Sequence, residues 1–296
     1  MHVFLTGASG HAGSAIHRKL AESDEKVTAL VRSQTAGTRV WGEGATPLIG
    51  DITNVEWLRE ILPSFDAIVH TASPGDASSA TVDRDFAAAA IEAFAGTGKP
   101  YIHSSGAWNY GSGPHITEET PFDPPPTNVW RVDNDAMVVG AADMRGIVLL
   151  FGSLYGHGAG VLPTVIAASP RTAEGEWVLI GDGRQHVATV HVDDLADLVI
   201  RALERGSPGY YIGASDDHPT NGELTEAASL GAGGSGKIKS ESRADTEARF
   251  GPALAAALSL DQQTSCAKAH EVLGWNPSAT SLAEELAQGM YANAPD

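Results

Sequence analysis

Val3-Phe4-Leu5-Thr6-Gly7-Ala8-Ser9-Gly10-His11-Ala12-Gly13 is the stretch on which the fold turns. An apolar run of strand length enters a tight turn and leaves it as a helix, and each glycine has a separate task. Gly7 permits the turn, Gly10 lets backbone approach a pyrophosphate, and Gly13 lets the helix lie close to the sheet. The helix N-terminus then presents free N–H groups and the positive end of its dipole to a phosphate. A glycine triplet alone is a weak signal, because ordinary turns are also rich in glycine. Its weight comes from context, since it opens a chain in which strands and helices alternate.

Beyond it, short apolar runs read as buried strands at His2–Leu5, Val27–Val31, Pro47–Ile49, Ala67–His70, Tyr101–His103 and Ile147–Phe151. Helix-like segments separate them at His11–Glu22, Val55–Leu62, Val82–Ala95 and Asn128–Ala142. Strands separated by helices pair in parallel through right-handed crossovers, so the expected fold is α/β, a doubly wound parallel sheet of the Rossmann type. After Gly152 the pattern loosens into helices at Val192–Glu204, Asn221–Leu230, Thr246–Leu258, Ser265–Leu273 and Ser281–Met290, with a strand at Tyr210–Ile212. Residues 1–151 are expected to form a dinucleotide-binding core. Residues 152–296 are expected to complete the sheet and form a smaller substrate-binding cap.

The 296 residues are 42% hydrophobic and 19% charged, enough apolar side chain for a packed core and too ordered a composition for a disordered chain. Nineteen Lys and Arg stand against 37 Asp and Glu, for a net charge of −18. That field repels phosphate backbones and anionic membranes, so neither nucleic acid nor a membrane is an expected partner. An anionic ligand must then be held by a local device such as a helix N-terminus or a placed Arg. Cys266 is the only cysteine, which excludes an intrachain disulfide and a cysteine metal cluster and reads as a small packing residue. No apolar run approaches the ~18 residues of a membrane span. The opening directly into a strand, with no signal-peptide pattern, makes the cytoplasm the expected compartment.

The spacing Gly-x-x-Gly-x-x-Gly after Thr6 resembles the cofactor loop of the short-chain dehydrogenase/reductase superfamily, in the extended or atypical branches that include epimerase/dehydratase-like proteins. Further segments are similar to that family's motifs: Gly50-Asp51-Ile52, Val69-His70-Thr71-Ala72-Ser73-Pro74, Ser104-Ser105-Gly106-Ala107-Trp108-Asn109-Tyr110-Gly111, Val190–Ala196 and Leu273-Gly274-Trp275-Asn276-Pro277. The resemblance implies a nicotinamide dinucleotide bound by Gly7, Ser9, Gly10, His11, Ala12 and Gly13, with Asp51 and Ile52 near the adenine. It also implies that Thr71, Ala72 and Ser73 lie beside the cofactor, that the second ligand is a small molecule, and it leaves a homodimer open. The second strand ends in Arg32 and Ser33, without the acid that would bond a ribose 2′-OH. Arg32 offers a planar charged fork to a 2′-phosphate and Ser33 a hydroxyl, so NADP(H) is expected over NAD(H). Arg39 is a weaker second candidate, and a solvated surface charge is the competing assignment for Arg32.

The family's catalysis uses a Tyr with a Lys four residues later, and a Ser on the fifth-strand loop. The Ser candidates Ser104 and Ser105 are present, but no Tyr-x-x-x-Lys follows them. In the best register Thr127 takes the Tyr position, Arg131 the Lys position and Asp135 that of a family acid; in another register Trp130 and Asn134 fill the pair. Thr and Trp do not titrate usefully near neutrality. Arg131 can still bond the nicotinamide ribose but cannot shed a proton. Its competing role is a surface pair with Asp135 at helical spacing. Tyr155 and His157, read as following the sixth strand, are substitute proton donors, as are Tyr110 and His115 with less support. The resemblance thus implies an NADP(H)-dependent oxidoreductase acting on a small carbonyl, imine or conjugated substrate without the usual Tyr–Lys pair. An epimerase, isomerase or lyase, and a non-catalytic dinucleotide sensor, are the alternatives.

Two apparent sites dissolve on inspection. Gly231–Lys237 imitates a phosphate loop but continues with Ile238 where a Ser or Thr would hold magnesium, and it follows a helix-like stretch. The spacing of His186, His191, Asp193 and Asp194 fits no zinc pattern, so no metal site is expected.

Overall fold

The computed structural model describes residues 1–292. In chain order the strands are β1 (His2–Thr6), β2 (Lys26–Val31), β3 (Thr46–Ile49), β4 (Ala67–His70), β5 (Pro100–Gly106), β6 (Gly113–Ile116), β7 (Arg145–Phe151), β8 (Ser153–Tyr155), β9 (Trp177–Val178), β10 (Thr189–His191), β11 (Gly209–Gly213), β12 (Ile238–Lys239) and β13 (Gln262–Thr264). The helices are α1 (His11–Glu22), α2 (Gln34–Gly42), α3 (Val55–Ile61), α4 (Ser79–Phe94), α5 (Val129–Val139), α6 (Val161–Ala167), α7 (Val192–Arg205), α8 (Asn221–Gly231), α9 (Arg243–Leu258) and α10 (Leu282–Ala287).

Seven strands form one parallel sheet in the order β11-β7-β5-β4-β1-β2-β3. Alternate side chains divide it into two buried faces. Val3 and Leu5 of β1 join Ile16 and Leu20 of α1 and Leu195, Leu198 and Val199 of α7. Phe4 of the same strand points the other way, into Leu58 of α3 and Phe86 and Phe94 of α4. Side chains of a strand alternate with period two, so a strand covered on both sides must be apolar throughout. A third cluster, with Leu162, Ile166, Trp177, Leu224 and Leu286, lies in the second half of the chain.

The elements expected in the first half begin and end within three residues of their expected positions; the largest differences are that α4 starts at Ser79, β5 runs on to Gly106 and α5 stops at Val139. The differences come later and have local causes. The sixth sheet strand stops at Phe151, and the chain passes Gly152, where a Cβ would stand 2.9 Å from Ala188 backbone atoms. It then forms β8, which pairs only with β10. Tyr155 and His157 therefore do not extend the sixth strand. The helix expected at Thr246–Leu258 begins earlier and is broken at Gly251 (φ 75°) and Pro252, where proline has no N–H to continue the ladder. α2 and α6 are short helices with no sequence signal strong enough to read. The cap of α7 is His191, whose Nδ1 accepts from the Asp193 N–H at 3.1 Å, and Asp193 and Asp194 follow in the first turn.

Candidate coenzyme and active site

The sheet order reverses between β1 and β4, and a crevice opens at the carboxyl ends of these two strands, the usual ligand position of an open parallel sheet. Gly7 leaves β1 at φ 78°, and a Cβ on it would lie 2.6 Å from Thr71 Oγ1. The Thr71 hydroxyl donates to the Thr6 carbonyl at 2.8 Å, and the Thr71 and Ala72 N–H groups donate to Thr6 Oγ1. These bonds tie the end of β4 to the end of β1. A Cβ on Gly13 would come within 2.1 Å of the Gly7 carbonyl oxygen, so helix and loop touch there. Gly10 is different: its Cβ would meet only that oxygen, at 3.3 Å, and the space beyond is open. Gly10 is also the N-cap of α1, and no side chain caps the helix. An uncapped twelve-residue helix facing a cradle kept clear of Cβ atoms fits a diphosphate. His11 closes one side by donating from Nε2 to the Gly156 carbonyl at 3.0 Å, and burial lowers its pKa, keeping it neutral.

At the end of β2, Arg32 and Ser33 are exposed. Arg32 forms no ion pair or hydrogen bond among the described residues. Ser33 caps α2 by accepting from the Ala36 N–H at 3.2 Å. Arg39 reaches back to the Ser9 carbonyl, placing a second guanidinium beside the glycine loop. Asp51 bonds its own turn through the Thr53 N–H and hydroxyl, which holds its carboxyl below the usual range, and Ile52 packs against the core of the α3 face. Ser73 donates to Ser79 Oγ at 3.3 Å.

A cavity of about 820 Å³ continues from this loop. Its lining joins His11, Ala12 and Thr71 to Ser104, Ser105, Asn128 and Arg131. Trp108, Phe151, Leu154, Val161, Leu162, Val165 and Leu258 make the wall opposite apolar. Ser105 is buried and donates to Asp135 Oδ2 at 2.6 Å. Asn109 donates to the same oxygen at 2.8 Å and to Ser105 Oγ at 3.1 Å, and Asn128 Nδ2 donates to Asn109 Oδ1 at 2.9 Å. Thr127, in the expected Tyr position, donates to Asn128 Oδ1 and does not line the cavity. Arg131 does line it, with its guanidinium stacked 4.3 Å from the Trp130 ring. The surface pair between Arg131 and Asp135 is not formed: Asp135 turns inward, is fully buried, and spends its hydrogen bonds on Ser105 and Asn109.

The other candidate acids stand apart from the cavity. Tyr155 donates to the Thr280 carbonyl at 2.9 Å, and burial raises its pKa. His157 is exposed, at φ 55°, and paired with Asp193 at 2.9 Å. Tyr110 is buried against Phe122, and His115 is exposed on β6.

Spacing gave no sign of the side-chain clusters that the fold assembles. Among the described residues three clusters of polar and titratable side chains come together: His70, Asp83 and His103; His157, His191 and Asp193; and Asp216, Cys266 and His270. The first is wholly buried beneath the site. His70 Nε2 and His103 Nε2 each lie 3.4 Å from Asp83, and Asn134 donates to Asp83 at 2.8 Å. Burial alone would raise the Asp83 carboxyl, but His103, His70 and their fields outweigh it and hold it far below the usual range. Burial lowers the His70 pKa, against the opposing pull of the Asp83 carboxylate.

A sequence model of the NAD dependent epimerase/dehydratase family matches residues 3–213. An uncharacterized protein of Schizosaccharomyces pombe is 30% identical over 98% of this chain and 100% of its own length. The sterol-4-alpha-carboxylate 3-dehydrogenase, decarboxylating, of Dictyostelium discoideum is 24% identical over 69% of this chain and 68% of its own. Among solved structures, the dTDP-glucose 4,6-dehydratase of Bacillus anthracis in complex with NAD superposes with a TM-score of 0.77 at 18% identity, covering 99% of this chain and 96% of that one. Human epimerase family protein SDR39U1 with NADPH gives 0.74 at 20% identity, covering 99% and 100%.

Proposed function

Because this chain belongs to the NAD dependent epimerase/dehydratase family, we propose that it is an NADP(H)-dependent oxidoreductase acting on a small organic molecule with a carbonyl, imine or conjugated double bond. The observation that carries this reading is the single cavity that runs from the glycine loop to Ser104, Ser105, Asn128 and Arg131. The coenzyme supplies or accepts the hydride. The uncapped N-terminus of α1 holds its diphosphate, as the acidic chain requires of any anion site. Arg131 and Asn128 orient the nicotinamide end and the substrate from one side. The apolar wall from Trp108 to Leu258 excludes water and selects a substrate with an uncharged body. Ser104 and Ser105 supply hydroxyls to the substrate oxygen. The relative that is a sterol dehydrogenase supports an apolar substrate body, the NAD and NADPH complexes of the structural neighbours support a nicotinamide dinucleotide, and the choice of NADP(H) rests on Arg32 and Ser33. The cytoplasm is the compartment proposed for this activity.

Calorimetric titration with NADPH and NADH tests the coenzyme half of the reading, and nicotinamide absorbance over net turnover of a ketone and enone panel tests the chemistry. An epimerase or lyase would turn over with no net absorbance change. Arg32→Ala is expected to weaken NADPH about tenfold, the ~1.5 kcal/mol of one charge-assisted phosphate contact, with NADH nearly unchanged. Equal weakening of the two would remove Arg32 from the 2′-phosphate.

A further inference from the structure

We propose that Asp135, acting through the Ser105 hydroxyl, holds the exchangeable proton of this site, so that its protonation is linked to the redox state of the bound coenzyme. The inference rests on the dinucleotide reading above and assigns the proton that the missing Tyr–Lys pair leaves without a source.

Ser105 connects the cavity to the interior: it lines the cavity, and its Oγ lies 2.6 Å from Asp135 Oδ2. Asn109 donates to both atoms and fixes the pair in line. The other carboxyl oxygen, Asp135 Oδ1, has no hydrogen-bond partner and lies 3.5 Å from His103 Nε2, which also has none. His103 Nδ1 is engaged by the Tyr101 hydroxyl at 2.8 Å. Behind His103 the polar groups continue through Asp83 to His70, and His70 Nδ1 meets Thr6 Oγ1 at 2.8 Å, directly under the glycine loop. Two imidazoles and two carboxylates thus line a buried path from the active-site hydroxyl to the coenzyme turn.

Packing does not require this arrangement. Ser105 and Asn109 need only an acceptor at Asp135, which a neutral amide would provide without burying a charge. An ionisable group kept there, pushed up by burial to about 6, can give and take a proton near neutrality. The groups facing it are His103 and Tyr101 from β5, Asp83 from α4, Arg131 from α5, and Tyr110 and Tyr210 further out.

In the reductive direction the Ser105 O–H bond breaks as its proton passes to the substrate oxygen that has become an alkoxide. The Asp135 Oδ2–H bond breaks as its proton moves to Ser105 Oγ. Two O–H bonds form, and Asp135 remains as the carboxylate. Oxidation runs the same path backwards. A carboxylate at Asp135 favours the cationic nicotinamide of NADP⁺, whereas NADPH carries no ring charge.

Calorimetric Kd values for NADP⁺ and NADPH from pH 5 to pH 8 test this without any substrate. Both ligands share the 2′-phosphate, so its own titration cancels in their ratio. In the unmodified protein, NADP⁺ is expected to gain about tenfold over NADPH as pH rises through about 6. Asp135→Asn flattens the ratio. Ser105→Ala moves the step to higher pH, because the carboxylate loses a donor, and a purely structural role for the pair would not produce that shift. A flat ratio in the unmodified protein, or a step unchanged in Asp135→Asn, overturns the proposal. Failure of both coenzymes to bind at any pH overturns instead the reading on which it rests, and the proposal with it.

Discussion

Gly10→Val is expected to weaken NADPH and NADH alike by about 100-fold or more, with the circular dichroism spectrum unchanged and the melting temperature lowered only by the ~1 kcal/mol of a poorer helix N-cap. The backbone at Gly10 has φ −86° and ψ 175°, which any residue adopts, and its Cβ would meet one atom, the Gly7 carbonyl oxygen at 3.3 Å. The fold therefore tolerates the side chain. The isopropyl group stands instead in front of the uncapped first turn of α1, where a diphosphate would take its backbone hydrogen bonds. Loss of two charge-assisted bonds at about 1.5 kcal/mol each gives the stated factor. Gly13→Ala is the informative contrast, since its Cβ would lie 2.1 Å from the Gly7 carbonyl oxygen and the strain falls on the loop itself. A lowered melting temperature without ligand is expected there. Undiminished coenzyme affinity in Gly10→Val would remove the diphosphate from this loop.

Asp83→Ala is expected to cost about 3–5 kcal/mol of folding stability at pH 7, read as a lower urea midpoint. The carboxylate is buried and accepts from Asn134 Nδ2 at 2.8 Å, with the Ala80 carbonyl as the second acceptor at 3.3 Å. It also faces His70 and His103, both buried. Truncation leaves a cavity and three polar side chains without their carboxylate. The pH dependence follows from the depressed Asp83 pKa. Its contribution is complete above the ordinary carboxylate range and is lost as pH falls through the depressed folded value. Asp135 acts in the opposite sense: its folded pKa is raised, so its contribution is complete in acid and is lost as pH rises through about 6. Asp135→Asn should consequently compare better with the unmodified protein at pH 8 than at pH 5. A urea midpoint for Asp83→Ala within experimental error of the unmodified protein would show that the cluster adds nothing to folding.

The opening loop was legible because its information is local. A turn at positive φ and a close approach at Gly7, and a second close approach at Gly13, demand glycine within a few consecutive residues, whatever the rest of the chain does. The parallel strands were legible for a related reason: burial on both faces forces continuous apolar runs, as in Ala67–Val69. The short elements β8, β9, β10 and β12 carry no such pattern, since two or three residues are too few to show a period. This is why Tyr155 and His157 read as following the sixth strand, when Tyr155 ends a separate ribbon and His157 lies in the turn after it.

The doubly wound sheet, the glycine cradle and the absence of a Tyr–Lys pair can all be read along the chain, because each is a property of neighbouring residues. Which side chains gather where that pair would stand depends on the packing of the whole fold. Strand register sets His70 beside His103 across β4 and β5. The packing of α4 and α5 on that face then brings Asp83 and Asp135 to them. In the chain Asp135 looked like the helical neighbour of Arg131. Its burial against Ser105 depends on which side of α5 meets the sheet, and that choice is made by the apolar face of the whole helix rather than by any motif.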